Sequence, residues 1–144
     1  MRSLSRLLLA LCLAGLLPVS FGAAEPERVE VQHILVSFAG KIPGKKVTRT
    51  QEEARTLAGQ LVERARKGED FDALVKQYTD DQHPGIYPLF NRGASPSRRG
   101  EYPRQGMVGC FGDVSFSLAV GEIGMCAFDP KGSPYGWHII KRLK

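Results

Sequence analysis

The sequence predicts an α+β domain with the element order β-α-α-β-α-β-β. Three observations carry that prediction. The run from Val29 to Val36, VEVQHILV, alternates with period two, as a strand with differing faces does. The run beginning at Thr50 repeats its apolar residues at three-four spacing behind a capping signal, as an amphipathic helix does. The chain closes on Trp137-His-Ile-Ile140, rich in aromatic and β-branched residues that favour a pleated surface. Strands near both ends with helices between them imply helices packed on an antiparallel sheet.

The elements follow in order. In the first strand Val29, Val31, His33 and Leu35 share one face, and Glu30, Gln32, Ile34 and Val36 the other. Gly40, Pro43 and Gly44 break the chain into a loop from Phe38 to Lys46. Thr50 and Glu53 form a capping box, and Ala54, Leu57, Ala58, Leu61, Val62 and Ala65 line one helical face. Arg64, Arg66 and Lys67 suit the negative end of that helix, and Gly68 stops it. A second helix, capped by Asp70, runs through Phe71, Leu74, Val75 and Tyr78. Residues 80–106 hold many glycines and prolines and read as a long irregular loop with one short strand near Gly100 to Tyr102. Phe111, Val114 and Leu118 mark a third helix, which Gly121 ends. Met125 to Phe128 is a strand candidate, followed by the Gly132-Ser133-Pro134 turn and the last strand.

Residues 1–24 read as a secretory signal peptide. Arg2 and Arg6 form a basic start, Leu7 to Leu17 a short apolar stretch, and Gly22-Ala23-Ala24 a small-residue cleavage site before Glu25. The apolar stretch is too short to span a bilayer, so no stable span is expected after its removal. An uncleaved anchor is the alternative, and lipoprotein processing at Cys12 is disfavoured by Leu11 before it. Residues 25–144 then make one domain. The net charge of +5 includes the two leader arginines, and the remaining Lys and Arg are dispersed among acids. Nucleic-acid binding is therefore not expected. Cys110 and Cys126 remain after processing, and an exported chain meets oxidising conditions. They are a candidate disulfide, the alternative being two small buried side chains.

His33 and His138 sit mid-strand at opposite ends of the domain, where an imidazole needs a partner or a task. Neighbouring strands would let them bond each other and fix their tautomers. Asp81 follows the second helix, and Met107, Phe111 and Phe116 lie around the third. From the residues alone, core is the favoured reading of those three. A metal site from the two histidines with Asp80, Asp81 or His83 lacks short ligand spacing, so no metal is expected.

Five segments, VQHILV, TRTQEEA, KGEDFDALVKQYTDD, GMVGCFGDVSFSLAVGEIG and YGWHII, resemble in order and spacing the parvulin-type peptidyl-prolyl cis-trans isomerases. The likeness covers nearly all of Glu30 to Leu143. It implies the parvulin variant of the FKBP-like superfold: a four-stranded antiparallel sheet with three to four helices and the two histidines side by side on central strands. It places His33 and His138 on the family's active-site histidines, and Asp81 on a position filled by Asp or Cys. Met107 and Phe111 fall on the pocket for the proline ring, with Phe116 behind them, and Tyr135 flanks the site. The implied function is isomerisation of X–Pro bonds in exported or folding polypeptides, without cofactor, by a monomer in the periplasm or outside the cell. The alternative is a non-catalytic, chaperone-like module that holds proline-containing peptides. Phe111→Ala is expected to lower activity while the fold largely survives.

The chain departs from the family pattern in three places. The Asp81–Met107 loop is long, so the apolar residue ahead of the pocket falls on Arg99 by direct spacing or on Tyr102. Ser37 stands nearest the position where phosphate-directed members begin a basic cluster, and Lys41, Lys45 and Lys46 lie in a Gly/Pro loop. No phosphate requirement is expected. Thiols at 110 and 126 are unusual for the family and fit a bridge in an exported protein.

Overall fold

The computed structural model describes residues 24–144. The expected signal segment lies outside them, apart from Ala24. Five strands form one sheet: β1 (Arg28–Val36), β2 (Ile86–Phe90), β3 (Tyr102–Pro103), β4 (Ile123–Cys126) and β5 (Trp137–Arg142). Three α-helices, α1 (Gln51–Arg66), α2 (Phe71–Tyr78) and α3 (Gly109–Ser117), pack on it, with a single 3-10 turn at Arg104–Gly106. The strand order is β3-β2-β1-β5-β4. All pairings are antiparallel except β2 with β3. This is an α+β architecture, with helices on both faces of a mainly antiparallel sheet.

The helices begin where their caps put them. Thr50 Oγ1 accepts from the Glu53 amide, while the Glu53 carboxylate accepts from the Thr50 amide. Asp70 accepts from the Ala73 amide and starts α2. Both helices bury their apolar stripes on one face of the sheet. Ala54, Ala58, Leu61, Phe71, Leu74 and Val75 meet Ile34, Val36, Trp137 and Ile139 there. The opposite face carries Val29, Val31, Leu89, Ile140 and Cys126 and is covered by Phe111, Phe116 and Leu118 of α3 and its end. Period-two alternation along β1 therefore decides which residues face α3, and His33 is among them.

The sheet corrects two expectations. It has five strands rather than four, and the segment expected to be irregular contains β2, the strand that flanks β1. Pro88 masked it, since a proline argues against a ladder strand. Hydrogen bonds from His33 N to Gly85 O (3.0 Å) and from Asn91 N to Glu27 O (2.9 Å) fix the pairing pattern. Pro88, opposite Glu30, then falls where the missing N–H would point away from β1. Proline therefore removes no bond to β1. The strand expected near Gly100–Tyr102 is only the two-residue β3. The strand expected at Met125–Phe128 lies at Ile123–Cys126, paired with Trp137–Arg142.

Two contacts fix α3 relative to the sheet. Cys110 on α3 and Cys126 on β4 are brought together as a disulfide pair, with Cα atoms 5.5 Å apart. Arg104, 8% exposed, lies over the Phe116 ring and bonds Asp113 on α3 (2.8 Å) and Glu25 (2.7 Å). Among the described residues no helix is long and apolar enough to cross a membrane.

Candidate active site

β1 and β5 are neighbours in the sheet, and their register decides the geometry. His33 pairs with Ile140 and Leu35 with His138, so the two histidines lie diagonally on the α3 face. Their rings stack at 13° with centroids 5.5 Å apart, and the two Nδ1 atoms approach to 3.3 Å. His33 and His138 are 3% and 5% exposed. His33 Nε2–H donates to Asp81 Oδ2 at 3.1 Å, and Tyr87 Oη donates to the same oxygen at 2.8 Å. The Phe111 ring stands edge-on to both imidazoles, with centroids 5.2 and 5.5 Å away.

The Asp81 backbone is held from several sides. Thr79 Oγ1 accepts from the amides of Leu35 and Asp81. Asp80 accepts from the Ser37 amide (2.8 Å) and from Arg49. Lys45 donates to the carbonyls of Asp80 and, at 2.6 Å, Asp81. The loop after β1 thereby closes over one side of the site, with Ser37 Oγ bonded to the Tyr135 carbonyl opposite.

Above the imidazoles lies a cavity of about 350 Å³. Tyr87, Met107, Val108, Phe111, Leu35 and Ile42 form apolar walls around His33, His138 and Asp81, with Tyr135 at the side. The structure thus gathers His33, Asp81, His138, Met107, Phe111 and Tyr135 around one space. Phe116 does not line it; its ring is 2% exposed in the α3 core, beneath Arg104. Neither Arg99 nor Tyr102 lines the cavity. Tyr87 supplies the wall expected from them, with Tyr102 packed behind it at 5.6 Å. Once β2 is recognised, period two puts Tyr87 opposite Val31, on the His33 face. Its own sequence signal was therefore legible only through the strand that Pro88 masked.

The electrostatics are ordered. The His33 hydrogen bond, assisted by the Tyr87 bond and the nearby Lys45 charge, holds Asp81 below the usual carboxylate range despite partial burial. Burial, followed by the bond to Asp81, pushes the Tyr87 hydroxyl up, so it stays a donor. Burial, with His33 adding to it, holds His138 down at about 3, so it is neutral. An ionised Asp81 requires the hydrogen of His33 on Nε2. With His33 neutral, its Nδ1 accepts from His138 Nδ1–H, leaving His138 Nε2 bare. That atom is buried and has no partner among the described residues. Among the same residues, no group of three or more His, Cys, Asp or Glu is placed to hold a metal ion.

The depressed His138 value makes stability pH-dependent. Between its ordinary 6.5 and about 3, the unfolded imidazole binds a proton that the folded one does not. Its contribution is complete above about pH 6.5 and is lost as pH falls toward 3. The slope from this group approaches ~1.4 kcal/mol per pH unit at full proton uptake. Urea unfolding of wild type and His138→Gln between pH 6.5 and 5 is expected to show a shallower slope in the variant. Equal slopes would mean that His138 titrates normally in the fold.

Residues 20–144 match the family described as the PPIC-type PPIase domain. The chain belongs to that family. Against the foldase protein PrsA of Geobacillus sp. (strain WCH70) it is 35% identical over 114 residues, covering 79% of this chain and 31% of that protein. Against the chaperone SurA of Pseudomonas fluorescens it is 29% identical over 117 residues, covering 81% of this chain and 23% of that protein. The chain thus spans between 23% and 31% of these two relatives. A structure described as the solution structure of TbPIN1 superposes with a TM-score of 0.59 at 23% identity, covering 82% of this chain and 98% of that one. That likeness is one of fold. This parvulin-type PPIase domain is related to proteins named as foldases and chaperones.

Proposed function

We propose that the domain accelerates cis-trans isomerisation of X–Pro bonds in extended segments of exported, folding polypeptides. The observation that carries this reading is the apolar cavity of Tyr87, Met107 and Phe111 set directly against the hydrogen-bonded Asp81–His33–His138 chain. Isomerisation breaks no covalent bond. The barrier of ~20 kcal/mol is the amide resonance lost as the bond twists. Catalysis therefore requires the twisted form to be bound better than the planar ones.

Two features of the site act in that sense. The walls around Met107 and Phe111 grip the pyrrolidine ring and exclude the water that would hydrogen-bond the carbonyl and favour the polarised planar amide. Asp81, held ionised, disfavours that form further when the carbonyl oxygen lies near it. The twisted amide carries less negative charge on this oxygen and so suffers less. The histidines act structurally and electrostatically: His33 fixes the carboxylate and His138 fixes His33. No nucleophile, cofactor or metal is invoked. Lys45 donates to backbone carbonyls and Lys41 lies over the Phe38 and Phe128 rings, so no phosphate requirement is proposed. We place the protein outside the cytoplasm on the strength of the leader segment.

A protease-coupled assay on a proline tetrapeptide tests the proposal. Acceleration above the uncatalysed rate is expected. Saturable peptide binding with no acceleration would overturn it in favour of a holding module.

A further inference from the structure

We propose that Tyr87 is a positioning residue of this site: its hydroxyl and His33 together saturate one oxygen of Asp81, which fixes the carboxylate rotamer and leaves the other oxygen to face substrate. The inference rests on the isomerase reading. Nothing in the residue pattern around the histidines called for a tyrosine there. Its place follows from the register of β2 on β1, which sets Tyr87 opposite Val31 on the α3 face.

Both side-chain hydrogen bonds to the Asp81 carboxylate fall on Oδ2: His33 Nε2 at 3.1 Å and Tyr87 Oη at 2.8 Å. Oδ1 receives none among the described residues. Asp81 is 33% exposed and lines the cavity, so Oδ1 is the oxygen open to a ligand. A carboxylate with a single donor can rotate and exchange its two oxygens. With two donors converging on one oxygen it cannot do so without losing both bonds, and bonds to a charged acceptor are the stronger kind. The Tyr87 ring is itself locked, edge-on to His33 at 5.0 Å and to Phe111 at 5.9 Å. One side chain therefore serves as cavity wall and as the second anchor of the acid.

The charged and titratable groups facing Asp81 come from every neighbouring element. His33 approaches from β1, Tyr87 from β2, and His138 acts through His33 from β5. Lys45 reaches in from the loop after β1, and Asp80 is itself engaged by Arg49. Of these, only Tyr87 and His33 bond the carboxylate. Removing the Tyr87 hydroxyl should thus be felt at Asp81 while the ring contacts remain.

The test uses Tyr87→Phe, Asp81→Asn and the double variant, each checked for a wild-type urea midpoint. First, the Asp81 carboxyl is titrated by carbon-13 NMR. Its midpoint is expected to rise by ~0.5 unit or more in Tyr87→Phe, because a bond to the charged form is lost. A purely structural role would leave it in place. Second, turnover is measured at pH 7 by exchange spectroscopy on a proline peptide. Tyr87→Phe is expected to lower kcat roughly fivefold with KM little changed, and to cause no further loss in the Asp81→Asn background. An unmoved midpoint, or equal losses in both backgrounds, would overturn the proposal. If wild type shows no acceleration, the isomerase reading falls, and the titration alone decides whether Tyr87 holds Asp81.

Discussion

Phe111→Ala is expected to lower kcat/KM at least ~10-fold and to destabilise the fold by about 3–5 kcal/mol, as truncation of a buried Phe does. The side chain is 1% exposed and among the largest fully buried ones, yet it also walls the cavity. Its ring edge contacts His33, His138 and Tyr87, so truncation opens a void beneath the imidazoles and removes the surface that grips the proline ring. This outcome departs from the sequence-based expectation that the fold would largely survive. Spacing along α3 cannot reveal that one residue is core and wall together. Against a typical total of 5–15 kcal/mol, such a loss leaves a variant that is folded in the cold and marginal when warm. Urea unfolding and the peptide assay, both at 10 °C, separate the two effects. Met107→Ala provides the complementary case. Met107 is half-buried at the cavity edge, so its truncation should reduce turnover with little change in midpoint. A folded Phe111→Ala protein with wild-type turnover would remove the pocket assignment.

The parts of the molecule legible in the sequence are those where local pattern and tertiary position agree. Alternation in β1 put His33 on the face of Val29, Val31 and Leu35, which is the face that α3 covers. The Thr50–Glu53 box and the Asp70 cap marked the starts of α1 and α2 within a residue. The meeting of His33 with His138 was open from the strands alone and became an expectation through the family resemblance, because no local rule couples residues 105 apart. The region between Asp81 and Met107 defeated both routes. Pro88 hides β2, although its ring occupies a place where β1 needs no donor. Residues inserted after β2 then shift any reading by direct spacing, which put the pocket wall at Arg99 or Tyr102 instead of Tyr87. Phe116 shows the converse failure. The resemblance set it behind Met107 and Phe111 as part of the substrate pocket, but the side chain packs in the core between α3 and the sheet, under Arg104, and does not line the cavity. Composition could not say which α3 aromatic faces the histidines; the packing of α3 on the sheet decides it.

Gly136→Ala is expected to be among the most damaging substitutions that remove no contact. The residue has φ +145°, a conformation L side chains rarely adopt, and a Cβ there would lie 2.3 Å from Val36 O and 2.9 Å from Ser37 Cα. Both neighbours are backbone, and both are fixed. Val36 is paired with Trp137, and Ser37 is bonded to Asp80 and to the Tyr135 carbonyl. Relief therefore requires the start of β5 to move off β1, and His138 lies two residues further on. Backbone strain of about 1–3 kcal/mol at the left-handed position adds to the displacement. The total should exceed ~3 kcal/mol, within the range reserved for strained backbone sites. Gly93→Ala makes the comparison decisive. Its φ is +81°, with nothing within 4 Å of the built Cβ, so it carries the strain without the collision. Urea midpoints should fall far more for Gly136→Ala than for Gly93→Ala. Turnover per folded molecule should fall in the former alone, because only there does the histidine pair lose its register. Equal midpoints would show that the end of β1 yields readily, and that the close approach of Gly136 does not set where His138 sits.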